Sequence, residues 1–126
     1  MNAPEPGQWL RGGCHCGSVR FRARAQRYAA LRCNCSICTK KGYLHWIVAP
    51  EDFELEQGHD ALTTYQFNTG VAKHRFCATC GIHPFYTPRS HPDQIDVNVH
   101  CLDERHAFDV EEFDGENWEA NVNAIR

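Results

Sequence analysis

Long apolar runs, a surplus of basic charge and internal repetition are all missing from this 126-residue chain. No stretch approaches the roughly 20 apolar residues of a membrane-spanning helix, so no such span is expected. Thirteen Lys and Arg stand against sixteen Asp and Glu, a formal net charge of −3. Nucleic-acid binders show a clear basic excess, so no nucleic-acid partner is expected. The N-terminus, MNAPEPGQWLRGG, lacks the basic region and apolar core of a secretory signal. A reducing, cytoplasmic compartment is therefore expected.

What is abundant is cysteine. Eight are present, and a reducing compartment argues against a disulfide framework for them. They run as C-H-C at 14–16, C-N-C-S-I-C at 33–38, C-A-T-C at 77–80 and a lone Cys101. Thiols one or two residues apart are awkward for structural disulfides and well suited to a metal chelate. The length suits one domain, and 42% hydrophobic with 23% charged residues is an ordinary globular balance. Residues 1–11, with two prolines and a glycine, read as a flexible lead-in to a single domain over 12–126.

The patterning is that of strands. SVRFRARA alternates Val19, Phe21, Ala23 and Ala25 against Arg20, Arg22 and Arg24. This predicts a half-buried strand with a solvated arginine face; an anion-binding stripe is the sharper alternative. YLHWIVA, DFELEQG, LTTYQFN and AKHRF, then HPFYTP after the C-A-T-C turn, continue in kind. In QIDVNVHCL, Ile95, Val97 and Val99 are expected to point inward. The tail, VEEF then DGENWEANVNAI, holds the one convincing helical signal, with Asp114 as its N-cap. The expectation is a mostly β domain of antiparallel strands, built around metal sites, with a short C-terminal helix.

Structural zinc takes four ligands, which puts its sulfurs about 3.8 Å apart. C-x-x-C achieves this on a tight turn, where Gly81 can take the left-handed conformation, and C-x-C achieves it on an extended segment. The economical partition joins Cys14, Cys16, Cys77 and Cys80 in a closed set and leaves Cys33, Cys35 and Cys38 as a three-thiolate site. Spacing by itself also permits swapped partners. Cys101 or a histidine could complete the second site, but a water or a visiting ligand fits best, because catalytic zinc combines three protein ligands with one open position. His15 reads as a bystander, and His45, His74 and His100 as surface or satisfied core groups.

The segments GGCHCGSVRF, CNCSIC, TTYQFNT, FCATCG, FYTPRS and HCLDE occur in that order. Together they resemble the glutathione-dependent formaldehyde-activating enzyme family, most closely its centromere protein V branch. The resemblance implies a fold of the Mss4-like type. It implies a structural zinc on Cys14, Cys16, Cys77 and Cys80, and a catalytic zinc on Cys33, Cys35 and Cys38, open to glutathione. The implied activity is carbon–sulfur lyase chemistry on small thiol adducts, most simply S-hydroxymethylglutathione from glutathione and formaldehyde. Lys40, Lys41, Arg75 and Arg89 are candidates to anchor the carboxylates of glutathione, and His45 and Asp103 candidates for a base. The alternative is a non-catalytic zinc module that binds a protein or a nucleic acid.

Overall fold

Short alternating segments closed by glycine turns and 3-10 turns set the architecture. The computed structural model describes residues 2–126; Met1, part of the expected lead-in, lies outside them. In chain order the strands are β1 (Leu10–Gly13), β2 (Arg20–Ala23), β3 (Ala29–Cys33), β4 (Leu44–Val48), β5 (Phe53–Gln57), β6 (Leu62–Tyr65), β7 (His74–Cys77), β8 (Phe85–Tyr86), β9 (Ile95–Asn98) and β10 (Asp109–Phe113). Helix α1 (Ser36–Lys41) separates β3 from β4, and α2 (Trp118–Asn121) follows β10.

The strands form three sheets, with orders β1-β2-β5, β10-β3-β4-β9-β8 and β6-β7. Pairing is antiparallel except between β10 and β3, which run parallel with Phe113 opposite Cys33. A parallel neighbour needs a long crossover, and here most of the chain supplies it. Isolated bridges tie Gly12 to Leu102 and Lys73 to Thr87.

β2 behaves as its alternation predicts. Val19, Phe21 and Ala23 are fully buried in a core that includes Leu10, Tyr28, Trp46, Phe85 and Val97. The arginine face is a solvated ladder of ion pairs. Arg20 bonds Asp103, Arg22 bonds Glu54 at 2.7 Å, and Arg24 bonds Asp52 at 3.0 Å. Arg22 and Arg24 also lie against the Trp9 ring, 4.1 and 4.4 Å from its centre. With each charge matched, the row offers no free anion stripe.

Residues of the expected lead-in make contacts of their own. Gly7 N–H donates to Ala25 C=O at 2.7 Å, Ala107 N–H donates to Asn2 C=O at 3.1 Å, and Leu10 is buried.

Two local expectations change. Helix α1 gives no periodic signal because it is a single turn and a half, ended by Gly42 in the left-handed conformation (φ 65°). The tail forms β10 first and then a broken helix, with 3-10 turns on either side of α2. Asp114 stands at the N-cap of the 3-10 turn that opens this tail, without a side-chain capping hydrogen bond. Its carboxylate accepts instead from the side chains of Asn34 at 3.0 Å and Asn117 at 2.7 Å, and Asn117 occupies the N-cap of α2.

Candidate metal centres and the adjoining cavity

Both cysteine groups converge in space. The sulfurs of Cys14, Cys16, Cys77 and Cys80 lie within 4.8 Å of one another, as do those of Cys33, Cys35 and Cys38. All eight thiols are free of disulfides.

Two turns build the four-sulfur set. The first is not the extended segment expected: after β1 the chain turns through His15 and Cys16, with Gly17 at φ 84°. Cys14 N–H donates to Val19 C=O, and Val19 N–H reaches back to the Cys14 sulfur at 3.3 Å. The second follows β7, where Gly81 (φ 78°) closes the turn by donating to Cys77 C=O at 2.8 Å. Cys16 sulfur then stands 3.6 Å from the sulfurs of Cys14 and Cys77. This approaches the about 3.8 Å spacing of tetrahedral four-thiolate coordination. Burial pushes the Cys14 thiol up to about 11. Cys80 falls to about 6 although burial raises it, because the Cys16 and Ile82 backbone N–H groups and the Cys77 and Cys14 thiols favour its thiolate. His15 is exposed and does not join the four-sulfur group.

The three-sulfur set is local. Cys33 ends β3, Cys35 is the N-cap of α1, and Cys38 sits buried in its first turn. Thr39 N–H donates to Cys35 C=O at 2.9 Å, which fixes the turn that gathers the sulfurs. Hydrogen bonds from Cys33 and Cys38 lower the Cys35 thiol, and the same contacts with Cys33 and Cys35 raise Cys38. One proton-sharing cluster of this kind is what a cation would displace. Gly115 makes room for it: a Cβ there would lie 2.3 Å from the Cys33 sulfur.

No fourth His, Cys, Asp or Glu atom joins this set at the same spacing among the described residues. Cys101 stands elsewhere, with its sulfur 3.6 Å from His83 C=O, and burial, then the charges of Cys14 and Cys80, push it up to about 12. His45 comes nearest. Its Nε2 is 3.1 Å from the Cys38 sulfur, and its Nδ1 is 2.7 Å from Asp96 Oδ2. A carboxylate only accepts, so Nδ1 carries a hydrogen toward Asp96, and Nε2 faces the Cys38 sulfur. Register places this pair, since β4 and β9 run antiparallel with His45 opposite Asn98 and Trp46 opposite Val97. Tyr43 O–H donates to Asp96 C=O at 2.5 Å, and Tyr86 O–H lies 3.3 Å from His45 Nδ1.

A cavity of about 230 Å³ opens beside the three sulfurs. His45, Asp96, Tyr86 and His74 line it, with Phe67 and Arg89. The charged anchors expected from sequence separate here. Arg89 lines the cavity, stacked 3.6 Å above the Trp118 ring and bonded to Glu119. Lys41 is tucked against Tyr43 and Tyr86, and Arg75 donates to Thr87 Oγ1 at 2.7 Å. Lys40 is exposed. Asp103 is held below the usual carboxylate range by Arg20 and does not line the cavity, which removes it as a base there. Asp96, His74 and Tyr86 had drawn no functional reading in the sequence. Alternation places Ile95 and Val97 inward, but β9, paired between β4 and β8, is buried on both faces, and Asp96 lines the cavity. An acidic residue between two β-branched ones was the available signal.

A profile of the glutathione-dependent formaldehyde-activating enzyme family matches residues 9–119. The chain belongs to that family. Among curated relatives, a Halomonas elongata protein named "Putative glutathione-dependent formaldehyde-activating enzyme" is 35% identical over 80 residues, 56% of this chain and 51% of that protein. The match thus spans about half of the relative's length. The crystal structure of a Rhodobacter sphaeroides protein aligns at TM-score 0.72 and 34% identity, over 81% of this chain and 100% of that one. Family membership agrees with the mostly β architecture and with the paired cysteine clusters. No helix among the described residues is long and apolar enough to cross a membrane.

Proposed function

We propose that this chain is a zinc enzyme that joins a small thiol to an aldehyde and catalyses the reverse carbon–sulfur cleavage. The simplest pair is glutathione and formaldehyde, giving S-hydroxymethylglutathione. One observation carries the reading: three sulfurs gather at a cavity wall with no fourth protein ligand at their spacing among the described residues. In this reading Cys14, Cys16, Cys77 and Cys80 hold a structural zinc, and Cys33, Cys35 and Cys38 hold a second. Zinc with three thiolates and an exchangeable position supplies Lewis acidity that favours the thiolate form of an entering thiol.

The residues around it have separable tasks. Asp96 fixes the ring of His45, and His45 fixes the Cys38 side chain through the 3.1 Å contact. Carboxylate–histidine support of this kind orients a metal ligand, and its loss typically costs about 10–100-fold in metal affinity or activity. Phe67, Ile47 and Pro88 line the cavity with apolar surface and limit water at the aldehyde carbon. As the thiol adds, its sulfur pair forms the C–S bond and the C=O π pair moves to oxygen. The proton given up by the thiol ends on that oxygen. The chemistry needs a reducing compartment such as the cytoplasm, so that the ligand thiols stay unoxidised.

Cobalt(II) substitution tests the open position, because each thiolate ligand adds charge-transfer absorption. Glutathione should raise that absorption by about one thiolate, a change from three to four sulfurs at the second site. Cys101→Ser should keep the response. An unchanged spectrum with glutathione, together with loss of one thiolate in Cys101→Ser, would replace this reading with a closed, non-catalytic zinc module.

A further inference from the structure

The surface that the cavity offers to a ligand is apolar. Leu31, Ile37, Ile47, Trp118 and Ile125 line it half-buried, and Phe67 lines it 41% exposed. The ionisable groups of the same wall offer far less. His45, His74 and Asp96 are 5%, 3% and 1% exposed, each engaged by its neighbours rather than by the space beside it. Arg89 is the one Lys or Arg among the described residues that lines the cavity. Its guanidinium is already taken, bonded to Glu119 at 2.8 Å and stacked 3.6 Å above the Trp118 ring. The other polar side chains there, apart from Tyr86 and the cysteines, are Ser36, Asn68, Thr69 and Ser90, all uncharged.

Strand register carries this apolar wall up to the sulfurs. Side chains two apart on a strand share a face, so Leu31 lies beside Cys33 on β3 and Ile47 beside His45 on β4. Leu31 pairs with His45 across the two strands, and Phe113 of β10 lies opposite Cys33. Hydrocarbon therefore begins next to the three-sulfur set and continues along the sheet.

Size completes the argument. The cavity holds about 230 Å³. An apolar cavity of about 150 Å³ is enough to take benzene. Formaldehyde has two heavy atoms, roughly the bulk of one or two waters at about 30 Å³ each, and would leave the apolar wall uncovered. A thiol bearing carboxylates suits the wall no better, because unpaired charge is costly to bury and no free Lys or Arg lines the space. The reactant with a hydrocarbon body is then the carbonyl partner.

We infer that the carbonyl substrate is an aldehyde with an apolar body of about five to eight carbons, seated against Leu31, Ile47 and Phe67, in place of formaldehyde. The inference rests on the thiol–aldehyde chemistry proposed above and changes its carbonyl partner. The product is a hemithioacetal: the sulfur pair forms the C–S bond, the C=O π pair moves to oxygen, and the thiol proton ends on that oxygen. No further reactant is needed.

Straight-chain primary amides, from acetamide to octanamide, resemble such aldehydes in shape and do not react. In calorimetric titrations of the zinc-loaded protein, affinity should rise about fourfold per added methylene up to about hexanamide. The heat capacity change of binding should be negative. Ile47→Asn, checked for folding by its melting temperature and zinc count, should abolish that rise. With glutathione present, exchange NMR should show hexanal interconverting with its adduct at a kcat/KM about tenfold or more above that for formaldehyde. Affinity that does not grow with chain length, or a growth retained in folded Ile47→Asn, would overturn the inference. Formaldehyde turned over faster than hexanal would overturn it too, while leaving the proposed chemistry intact. Amides that bind with the expected slope, with neither aldehyde turned over, would instead overturn the thiol–aldehyde reading and the aldehyde occupant with it.

Discussion

Gly115 shows how much one missing side chain can decide. It follows Asp114, whose carboxylate ties Asn34 to Asn117, so the segment after β10 is drawn tightly over the three-sulfur cluster. A methyl at Gly115 would fall 2.3 Å from the Cys33 sulfur and 3.1 Å from Cys35 Cβ. Neither neighbour can yield freely: Cys33 is fixed by β-sheet pairing to Phe113, and Cys35 begins a helix. Gly115→Ala should therefore push Cys33 out of ligand position. Elemental analysis should fall from about two metals per chain to about one, with the other four-cysteine set still loaded. The strain should also cost about 1–3 kcal/mol in a denaturant titration, the usual penalty of overpacking. An unchanged metal count would mean that the cluster tolerates displacement of Cys33.

At the scale of elements, the ladder on β2 tests how far surface charge supports the sheet. Arg20 on β2 reaches Asp103, beyond the end of β9, and so links two sheets across the Gly12–Leu102 bridge. The Arg20 hydrogen bond, then its charge, hold the Asp103 carboxyl below its ordinary value. A carboxyl lowered in the folded state contributes stability above its unfolded pKa, about 3.9, and loses it as pH falls through the folded value. Both partners are a third or more exposed, so screening leaves only ~0.2–1 kcal/mol. Asp103→Asn should lower stability by that amount at pH 7 and make progressively less difference as pH falls below about 3.9, as read by denaturant titration. Strands of this kind were legible because alternation is local: β2, β4, β5 and β9 each carry apolar residues at every second position. Elements without that signal were not. β1 contains two glycines, β10 is exposed except for Phe113, and α1 is too short for a period to emerge. The site divides in the same way. Its cysteine runs stand out by spacing, which still permits swapped partners between them, whereas the cavity depends on which strands become neighbours. His45 meets Asp96 only because β4 pairs with β9, and His74 meets Tyr86 only because the Lys73–Thr87 bridge joins β7 to β8.

For the whole molecule, the two cysteine sets differ in the length of chain they close. Cys16 and Cys77 touch across 61 residues and tie β1 to the turn after β7, with Cys77 fully buried in the main core. Cys33, Cys35 and Cys38 span a single turn at the junction of β3 and α1, so a metal there closes almost no loop. Metal binding to a site that exists only in the folded chain is folding free energy, and closing a long loop adds an entropic share that a local site lacks. Cys77→Ser should therefore lower the melting temperature by about 10 °C or more, since a loss of several kcal/mol moves a domain of this size by that much. Cys38→Ser should cost only a few degrees, mainly through its lost contact with His45, and should remove thiol binding while the fold persists. Differential scanning calorimetry of both variants, paired with metal analysis, measures the contrast directly. Equal losses in melting temperature would mean that the local cluster carries as much of the fold as the long-range one, and the division into a structural and a working site would have to be abandoned.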